Sequence, residues 1–446
     1  MTKAQRERDR KYKIWMFLSA YSLFVIIKFI TDLAQFNLKR NPNAPQWPSR
    51  FSSVSTVLLW GVCFTITMTT DRRKFSQSRM SRASVFLFLG FYVWAIWGAF
   101  TNFSGISFSG GWDAYREFIV IFVFTHTLYM TVRIVKIYDI RRHMIGATIL
   151  ILGAMLLYEY ISHFRGFDFV DSLSNLFKST GRYRYAYGFR HVNTAGRICI
   201  MFMIYTVMYS MISREDISMH KIRSNYSVFF FVLFPAVIII LLSTASRTSI
   251  SALMLLCSVY FFLNSYSRTR MYTQAMYVIF VASTVSEICL LIDWEVLWDI
   301  FWSSRGINYK KTLPFLTDRN LWAAGIGMLK RGQIDKFIGT GVMDSFYLTV
   351  LLQTGLIGFF IFFVNIFIFV LLYFSDMRHM TRLQQMTGGL IALIIYYGLF
   401  EGGMFFGHGP LDLLNWTLII LCMNEKSARK KNIFKLNLRN NIHKAG

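Results

Sequence analysis

The sequence predicts an all-α, polytopic integral membrane protein with about twelve transmembrane helices. Two observations predict this class. Of the 446 residues, 54% are hydrophobic and only 16% are charged, whereas soluble domains carry about 25% charged residues. Apolar runs of roughly 20 residues, the length needed to cross a bilayer, also recur along the whole chain. We therefore expect a single membrane domain over residues 14–424, between basic tails at 1–13 and 425–446.

The apolar runs place the helices in order along the chain. The first run follows a basic segment and has no cleavage-type site of small residues after it, so we expect it to remain as a helix. The run at 345–374 is long enough for a short re-entrant piece followed by a full span. The expected spans are about 14–36, 51–70, 83–103, 114–132, 144–161, 193–213, 225–243, 249–266, 274–292, 345–374, 386–405 and 411–424.

Two large loops separate these spans on the outer side, at about 162–192 and 293–344. The second, between the ninth and tenth spans, begins with the Trp-rich stretch 293–302. Its aromatic residues recur at helical spacing, which is typical of a helix lying at the membrane interface or of an aromatic belt at a helix end.

Basic residues predict the orientation of the chain. Lys and Arg concentrate around 72–82, 133–142, 214–223, 268–270 and 378–382, and in both tails. Because cytoplasmic loops collect Lys and Arg, both termini are predicted to be cytoplasmic in a multi-pass protein of the cell membrane. The net charge of +25 follows from the same rule, so we expect no nucleic-acid partner. The five cysteines show no Cys-x-x-Cys or Cys/His spacing, and the sequence predicts neither a disulfide framework nor a zinc site.

Several arginines lie on the predicted outer side, against the topology rule. A cation at membrane depth is costly and usually faces a cavity or an anionic partner, and guanidinium groups match phosphate oxygens well. An internal salt bridge or snorkelling to lipid headgroups would explain any single one of them. Together they indicate an outward site for a phosphorylated lipid. The set is Arg116, Arg182, Arg184, Arg190, Arg197, Arg247, Arg305 and Arg319.

Three sequence segments occur in a fixed order. Residues 188–196 read G-F-R-H-V-N-T-A-G, residues 243–253 read S-T-A-S-R-T-S-I-S-A-L, and residues 343–358 read M-D-S-F-Y-L-T-V-L-L-Q-T-G-L-I-G. They resemble the G-x-x-H-x-N-x-x-G segment, the S-x-S-R-T-[GS] turn and the [HD]-[NS]-x-Y-L-x-x-L-x-x-x-G-[IL]-x-G segment of the superfamily of O-antigen ligases and Wzy-type polysaccharide polymerases. The resemblance covers roughly 85–415 and is specific only in these three segments.

This resemblance implies a glycosyltransferase that takes a sugar chain from undecaprenyl pyrophosphate outside the membrane. Ligases of the superfamily usually have a histidine at the head of the third segment, whereas this chain has Asp344, which is more typical of polymerases. It thus implies a polymerase for capsule, exopolysaccharide or O-antigen, with lipid-linked oligosaccharide as both donor and acceptor. Flippase and chain-length regulator proteins would be its partners. A ligase of the same superfamily, or a flippase that transports the lipid-linked oligosaccharide, stays open as an alternative.

The chemistry of glycosyl transfer assigns roles to particular residues. It needs stabilisation of the leaving pyrophosphate, a base near the acceptor hydroxyl, and alignment of the two. Arg190 and Arg247 are predicted to stabilise the leaving group, and Asp344 to act as the base, unless it only caps a helix. No cofactor or metal is predicted, although Asp293 and Glu295 offer oxygens that suit Mg²⁺. Asn193 is also expected to cap the sixth span. Substrate-binding roles are predicted for Arg116, His191, Asn193, Arg319, Tyr347 and Glu401.

Overall fold

A computed structural model describes residues 2–38, 47–78, 80–103, 112–163, 192–215, 223–268, 321–328, 345–400 and 409–425, together with positions 170, 174, 311, 312, 314 and 339. The chain is almost entirely helical in these ranges, and they contain no β-strand. Nine helices of the described part are long and apolar enough to cross a membrane. The predicted class, an all-α polytopic membrane protein, is thereby confirmed, and the count of twelve spans stays a prediction.

The helices of the first half follow the predicted spans closely. They are α1 (Lys3–Leu38), α2 (Trp47–Thr69), the short α3 (Arg72–Gln77), α4 (Arg82–Phe103), α5 (Trp112–Tyr138) and α6 (Arg141–His163). Helix α1 begins at Lys3, so the predicted basic tail is helical and continuous with the first span. Ion pairs four residues apart, Lys11 with Glu7 at 3.4 Å and Lys13 with Asp9 at 2.8 Å, support this extra helix.

The described residues of the second half form seven further α-helices. They are α7 (Val192–Glu215), α8 (Arg223–Ser243), α9 (Arg247–Arg268), the short α10 (Leu321–Ala324), α11 (Phe346–Phe374), α12 (Arg382–Phe400) and α13, which covers 410–425. The predicted span 274–292, the Trp-rich stretch 293–302 and the tail after residue 425 lie outside the described residues.

Contacts between helix ends place the start and the end of the described chain on the same face of the helix bundle. Arg10 Nη2 donates to the carbonyl oxygen of Tyr138 at 3.4 Å, and Arg141 Nη1 lies 2.8 Å from Oε1 of Glu425. The start of α1, the junction of α5 with α6 and the end of α13 therefore lie together. We call this the basic face, and its cytoplasmic orientation stays a prediction from the Lys and Arg distribution.

One arginine assigned to the topology rule has a packing role as well. The Arg133 guanidinium lies 3.2 Å from the ring centroid of Phe75, and its Nε and Nη1 donate to Ser78 Oγ at 3.1 Å and Tyr129 Oη at 2.7 Å. Arg133 is nearly buried, so these contacts hold α3 against α5 at the basic face.

The long apolar run of the third segment divides at a glycine. Within α11 the backbone of Gly355 is non-helical, with φ 64° and ψ −171°, in agreement with the two pieces expected for this run. The break releases carbonyl oxygens from the helical ladder. Those of Leu352 and Gln353 accept from the N–H groups of Ile326 and Gly327 at 2.7 and 3.1 Å. Both of these carbonyl oxygens therefore have hydrogen-bond donors, as buried backbone groups require.

The segment that fills this break comes from the predicted outer loop 293–344. Gly325 also has a positive φ of 74°, and a Cβ on it would lie 2.5 Å from the nitrogen of Gly355. Only glycines allow the two backbones to approach so closely. Ala324, Ile326 and Met328 are buried. Residues 324–328 therefore pack against α11, and the outward placement of the loop 293–344 stays a prediction.

Candidate functional site

The second sequence segment forms the turn between α8 and α9, as predicted. The turn residue Ala245 has a φ of 44°, and the Ser246 N–H donates to Thr244 Oγ1 at 3.3 Å. Ser246 occupies the N-cap position of α9, because its Oγ accepts from the Ser249 N–H at 3.4 Å. Arg247 is the first residue of the helix and is half-buried.

The first and second segments contact each other directly. Ser246 Oγ donates to Asn193 Oδ1 at 3.0 Å, and both side chains are buried. One turn further along α7, a Cβ on Gly196 would lie 2.5 Å from Ser249 Oγ, so the missing side chain lets α7 approach α9. Helix α7 begins at Val192. The prediction that Asn193 caps it is wrong, since its oxygen binds a neighbouring helix instead.

Two tyrosines of α12 extend this network. Tyr397 Oη lies 2.5 Å from Ser249 Oγ, which in turn lies 2.8 Å from Ser246 Oγ. Tyr396 Oη lies 2.7 Å from Ser251 Oγ, two residues further along α9. The hydroxyl groups of α9 are therefore engaged by α7 on one side and by α12 on the other.

The third segment joins the same place through α12. Tyr347 Oη donates to the carbonyl oxygen of Ile395 at 2.6 Å, and Ile395 directly precedes the two tyrosines of the network. The Tyr347 ring packs edge-on against Phe363, with centroids 4.8 Å apart. The Tyr347 hydroxyl proton is thus used within the fold, and the substrate-binding role of Tyr347 stays a prediction. We call the meeting point of the three segments the junction.

The junction lies well away from the basic face. Gln384 Nε2 donates to the carbonyl oxygen of Cys422 at 3.3 Å, near the end of α13. Tyr397 is thirteen residues further along α12, which corresponds to about 20 Å at 1.5 Å per residue. The junction therefore lies toward the face opposite the termini, which is the outer face if the predicted orientation holds.

The structure also assigns the cap of α11. Ser345 is its N-cap residue, and its Oγ accepts from the Leu348 N–H at 3.4 Å. The capping role considered for Asp344 is therefore wrong, because the helix begins one residue too late for it. The base role of Asp344 is not touched by this finding and stays a prediction.

The remaining predicted site residues fall largely outside what the structure describes. Arg116 lies in the helical backbone of α5, and its side chain is outside the described part. Of the catalytic set, only Arg247 has a described side chain, and among the substrate-binding residues only Asn193 and Tyr347 do. The others, Arg190, His191, Arg319, Asp344 and Glu401, lie outside the described residues.

Sequence reasoning missed several polar residues that the structure buries. Asp412 is 1% exposed, and its Oδ2 accepts from the Gly409 N–H at 3.1 Å in the first turn of α13. Glu159 of α6 is 3% exposed and received no role. The sequence did contain a signal for these two acids, because a lone carboxylate in an apolar run is a functional candidate by default. Ser246 and Ser249 lie in the second sequence segment, but no signal existed for Tyr397, since tyrosines are ordinary in such helices.

No protein-family model matches the chain, and no curated protein matches it significantly. Among the residues that the structure describes, no cluster of three His, Cys, Asp or Glu side chains is arranged to hold a metal ion. A functional assignment therefore depends on the three segments and on the geometry of the junction.

Proposed function

We propose that this chain is an integral membrane glycosyltransferase. It would be a polysaccharide polymerase that joins undecaprenyl-pyrophosphate-linked oligosaccharide repeat units on the outer face of the cell membrane. The observation that carries the proposal is the junction itself, where the first and second segments share a buried hydrogen bond and the third joins them through α12. Residues that form one reaction site must be brought together in this way.

The position of Arg247 supports a role in stabilising the leaving group. It stands at the N-terminus of α9, where the helix carries roughly half a positive charge. A pyrophosphate leaving group develops negative charge that a guanidinium fork and a helix N-terminus both stabilise. The turn before Arg247 is held by the bonds of Ser246 and Ser249. A cation held in advance stabilises a transition state without the cost of reorganising its surroundings.

The proposed reaction is a single glycosyl transfer. The acceptor hydroxyl oxygen attacks the anomeric carbon of the donor, and the bond from that carbon to the pyrophosphate oxygen breaks. The electron pair leaves with undecaprenyl pyrophosphate, and the hydroxyl proton passes to the base, for which Asp344 is the candidate. Arg190 and Arg247 stabilise the leaving group, with Arg116, His191, Arg319 and Glu401 as further contacts to the substrate.

The test uses the purified full-length chain in lipid nanodiscs. Its substrate is lipid-linked oligosaccharide extracted from cells that lack this protein, and the readout is the length of the lipid-linked product. We expect polymer from the wild type and a loss of roughly 100-fold or more in rate for Arg247→Ala, the cost of removing one such charge-stabilising donor. The matched control is Arg142→Ala on the basic face, where the guanidinium lies 5.1 Å from the Tyr209 ring centroid, and it should keep the wild-type rate.

Three outcomes separate the proposal from its alternatives. Polymer that remains on undecaprenyl pyrophosphate identifies a polymerase. Transfer of the chain to a different acceptor identifies a ligase. Movement of labelled lipid between leaflets with no change in its length identifies a flippase and contradicts the proposed enzyme. A wild-type rate in Arg247→Ala would show that this arginine does not stabilise the leaving group.

A further inference from the structure

The first piece of α11, residues 346–354, folds back along the second piece instead of continuing it. The rings of Tyr347 and Phe363 pack with their centroids 4.8 Å apart, although these residues are 16 positions apart in the sequence. A straight helix would separate them by about 24 Å. The two pieces therefore form a helical hairpin that turns at the non-helical Gly355, and we call residues 346–354 the re-entrant piece.

The hairpin places the N-terminal end of the re-entrant piece deep in the bundle. Tyr347 bonds the carbonyl oxygen of Ile395, which lies 11 residues along α12 from Gln384, a residue bonded to the end of α13 at the basic face. Eleven residues of helix span about 16 Å, half of a hydrocarbon layer of about 30 Å. Asp344, the candidate base, directly precedes the N-cap residue of this end in the sequence.

The other end of the re-entrant piece is held by donors from two remote parts of the chain. The three consecutive carbonyl oxygens of residues 352–354 all accept from outside α11. The first two accept from the N–H groups of Ile326 and Gly327. The third, that of Thr354, accepts from the indole Nε1 of Trp97 on α4 at 3.0 Å. The turn of the hairpin is therefore attached both to α4 and to the segment 325–327.

The re-entrant piece connects these attachments to the junction. It is nine residues long, about 13 Å, and its inner end bonds α12 next to the two tyrosines that contact the hydroxyls of α9. A short helix moves as a rigid rod, so a tilt of about 5° at the turn would displace the inner end by about 1 Å. A displacement of about 1 Å can lower the rate of an enzyme by about 100-fold.

We propose that Trp97 and the segment 325–327 are positioning elements of the reaction site. They fix the tilt of the re-entrant piece, and with it the place of its inner end relative to the turn that carries Arg247. The effect on catalysis rests on the proposed function, whereas the attachment rests on the hydrogen bonds at the hairpin turn. Because positioning acts on the chemical step, its loss should lower kcat and leave KM unchanged.

The attachment is tested by hydrogen–deuterium exchange on the full-length protein in lipid nanodiscs, read by mass spectrometry. Trp97→Phe keeps an aromatic ring but removes the indole N–H. We expect the amides of residues 349–354 to exchange about five-fold faster than in the wild type, the effect of one lost hydrogen bond.

Trp94→Phe is the matched control, because it is the same substitution one turn away on α4. The Trp94 indole donates to Thr354 Oγ1 at 3.3 Å and not to the backbone, and this hydroxyl keeps its own bond to the Val350 carbonyl at 2.8 Å. The exchange of the re-entrant piece should therefore change less than two-fold.

The effect on the reaction is measured in the nanodisc polymerisation assay. Trp97→Phe should lower kcat by about ten-fold or more at unchanged KM, and Trp94→Phe should stay within two-fold of the wild type. Tyr347→Phe releases the inner end of the same piece. Combining it with Trp97→Phe should cost less than the product of the two single losses, because both changes act through one rigid element.

The possible outcomes separate the attachment from the proposed function. Unchanged exchange in Trp97→Phe, or equal acceleration in Trp94→Phe, would overturn the attachment through the indole N–H. Faster exchange with a wild-type kcat, or a raised KM at unchanged kcat, would overturn the positioning role. Absence of polymer from the wild-type protein would contradict the proposed function, and the exchange experiment would still decide whether Trp97 holds the hairpin.

Discussion

Replacing Gly196 by alanine should separate α7 from α9 and disturb the junction without removing any of its polar groups. The added methyl would lie 2.5 Å from Ser249 Oγ and 2.9 Å from Ser249 Cβ, closer than such atoms approach in proteins. Ser249 cannot simply turn away, since its hydroxyl is bonded to Ser246 and to Tyr397. Overpacking of this kind typically costs 1–3 kcal/mol. Alanine recovers roughly 0.5–1 kcal/mol of helix propensity, so the expected net loss is about 1–2 kcal/mol.

The assay is the free energy of unfolding, measured by titrating the purified protein in mixed micelles with dodecyl sulfate. Gly61→Ala is the matched control, because Gly61 lies within membrane helix α2 and a Cβ there meets no atom within 4 Å. The control should be neutral or slightly stabilising. Gly196→Ala should also slow polymer formation in the nanodisc assay, since the turn that carries Arg247 must shift.

A double variant tests the physical cause. Combining Gly196→Ala with Ser249→Ala removes the oxygen nearest to the new methyl, so the double variant should lose less stability than the sum of the two single changes. Additive losses would refute the steric argument. A Gly196→Ala protein as stable as the Gly61→Ala control would refute the close approach of α7 and α9 itself.

Three further changes probe other contacts, each followed by the same unfolding titration. Ser246→Ala leaves the buried Asn193 Oδ1 without its donor and removes the cap of α9, so we expect a loss of about 2 kcal/mol, and restoration by Ser246→Thr would support the capping role. Gly355→Ala would bring a methyl to 2.4 Å from the carbonyl carbon of Ala323 and should cost at least 2 kcal/mol by overpacking and backbone strain together; a neutral result would contradict the glycine contact. Arg133→Met keeps the apolar part of the side chain but loses the bonds to Ser78, Tyr129 and the Phe75 carbonyl and the stacking on a ring, so a loss of about 2–3 kcal/mol is expected, and an unchanged stability would show that α3 is held otherwise.

The membrane helices were predictable because one physical constraint acts on each of them separately. A span must place about 20 apolar residues across the hydrocarbon layer, and that property can be read from a single run without knowing its neighbours. The turn before Arg247 could also be predicted from a short stretch of sequence. So could the division of the run 345–374 into two pieces, which the structure places at Gly355. Each of these features is local, so its signal lies within a few residues.

The features that the sequence did not predict depend on contacts between residues that are remote in the chain. Asn193 could not be recognised as a partner of Ser246, because that bond depends on which helices pack together. The sequence also did not show that residues 324–328 fill the break in α11, because the two carbonyl oxygens there take their donors from a remote part of the chain. The cap of α11 is a different case, because it lies at Ser345, one residue after the predicted Asp344, and sequence patterns locate helix ends only within a few residues.

The sequence by itself determined that this is a polytopic, all-α membrane protein, and it supplied the three segments on which the proposed polymerase function depends. Composition and run length suffice for the first, because the bilayer selects for them residue by residue. Only the tertiary structure decided that these segments meet, and that Gly196 and the hydroxyls of Ser246 and Ser249 lie where they meet. Contacts between helices arise from packing and hydrogen-bond satisfaction among residues remote in the chain, and no local pattern encodes them.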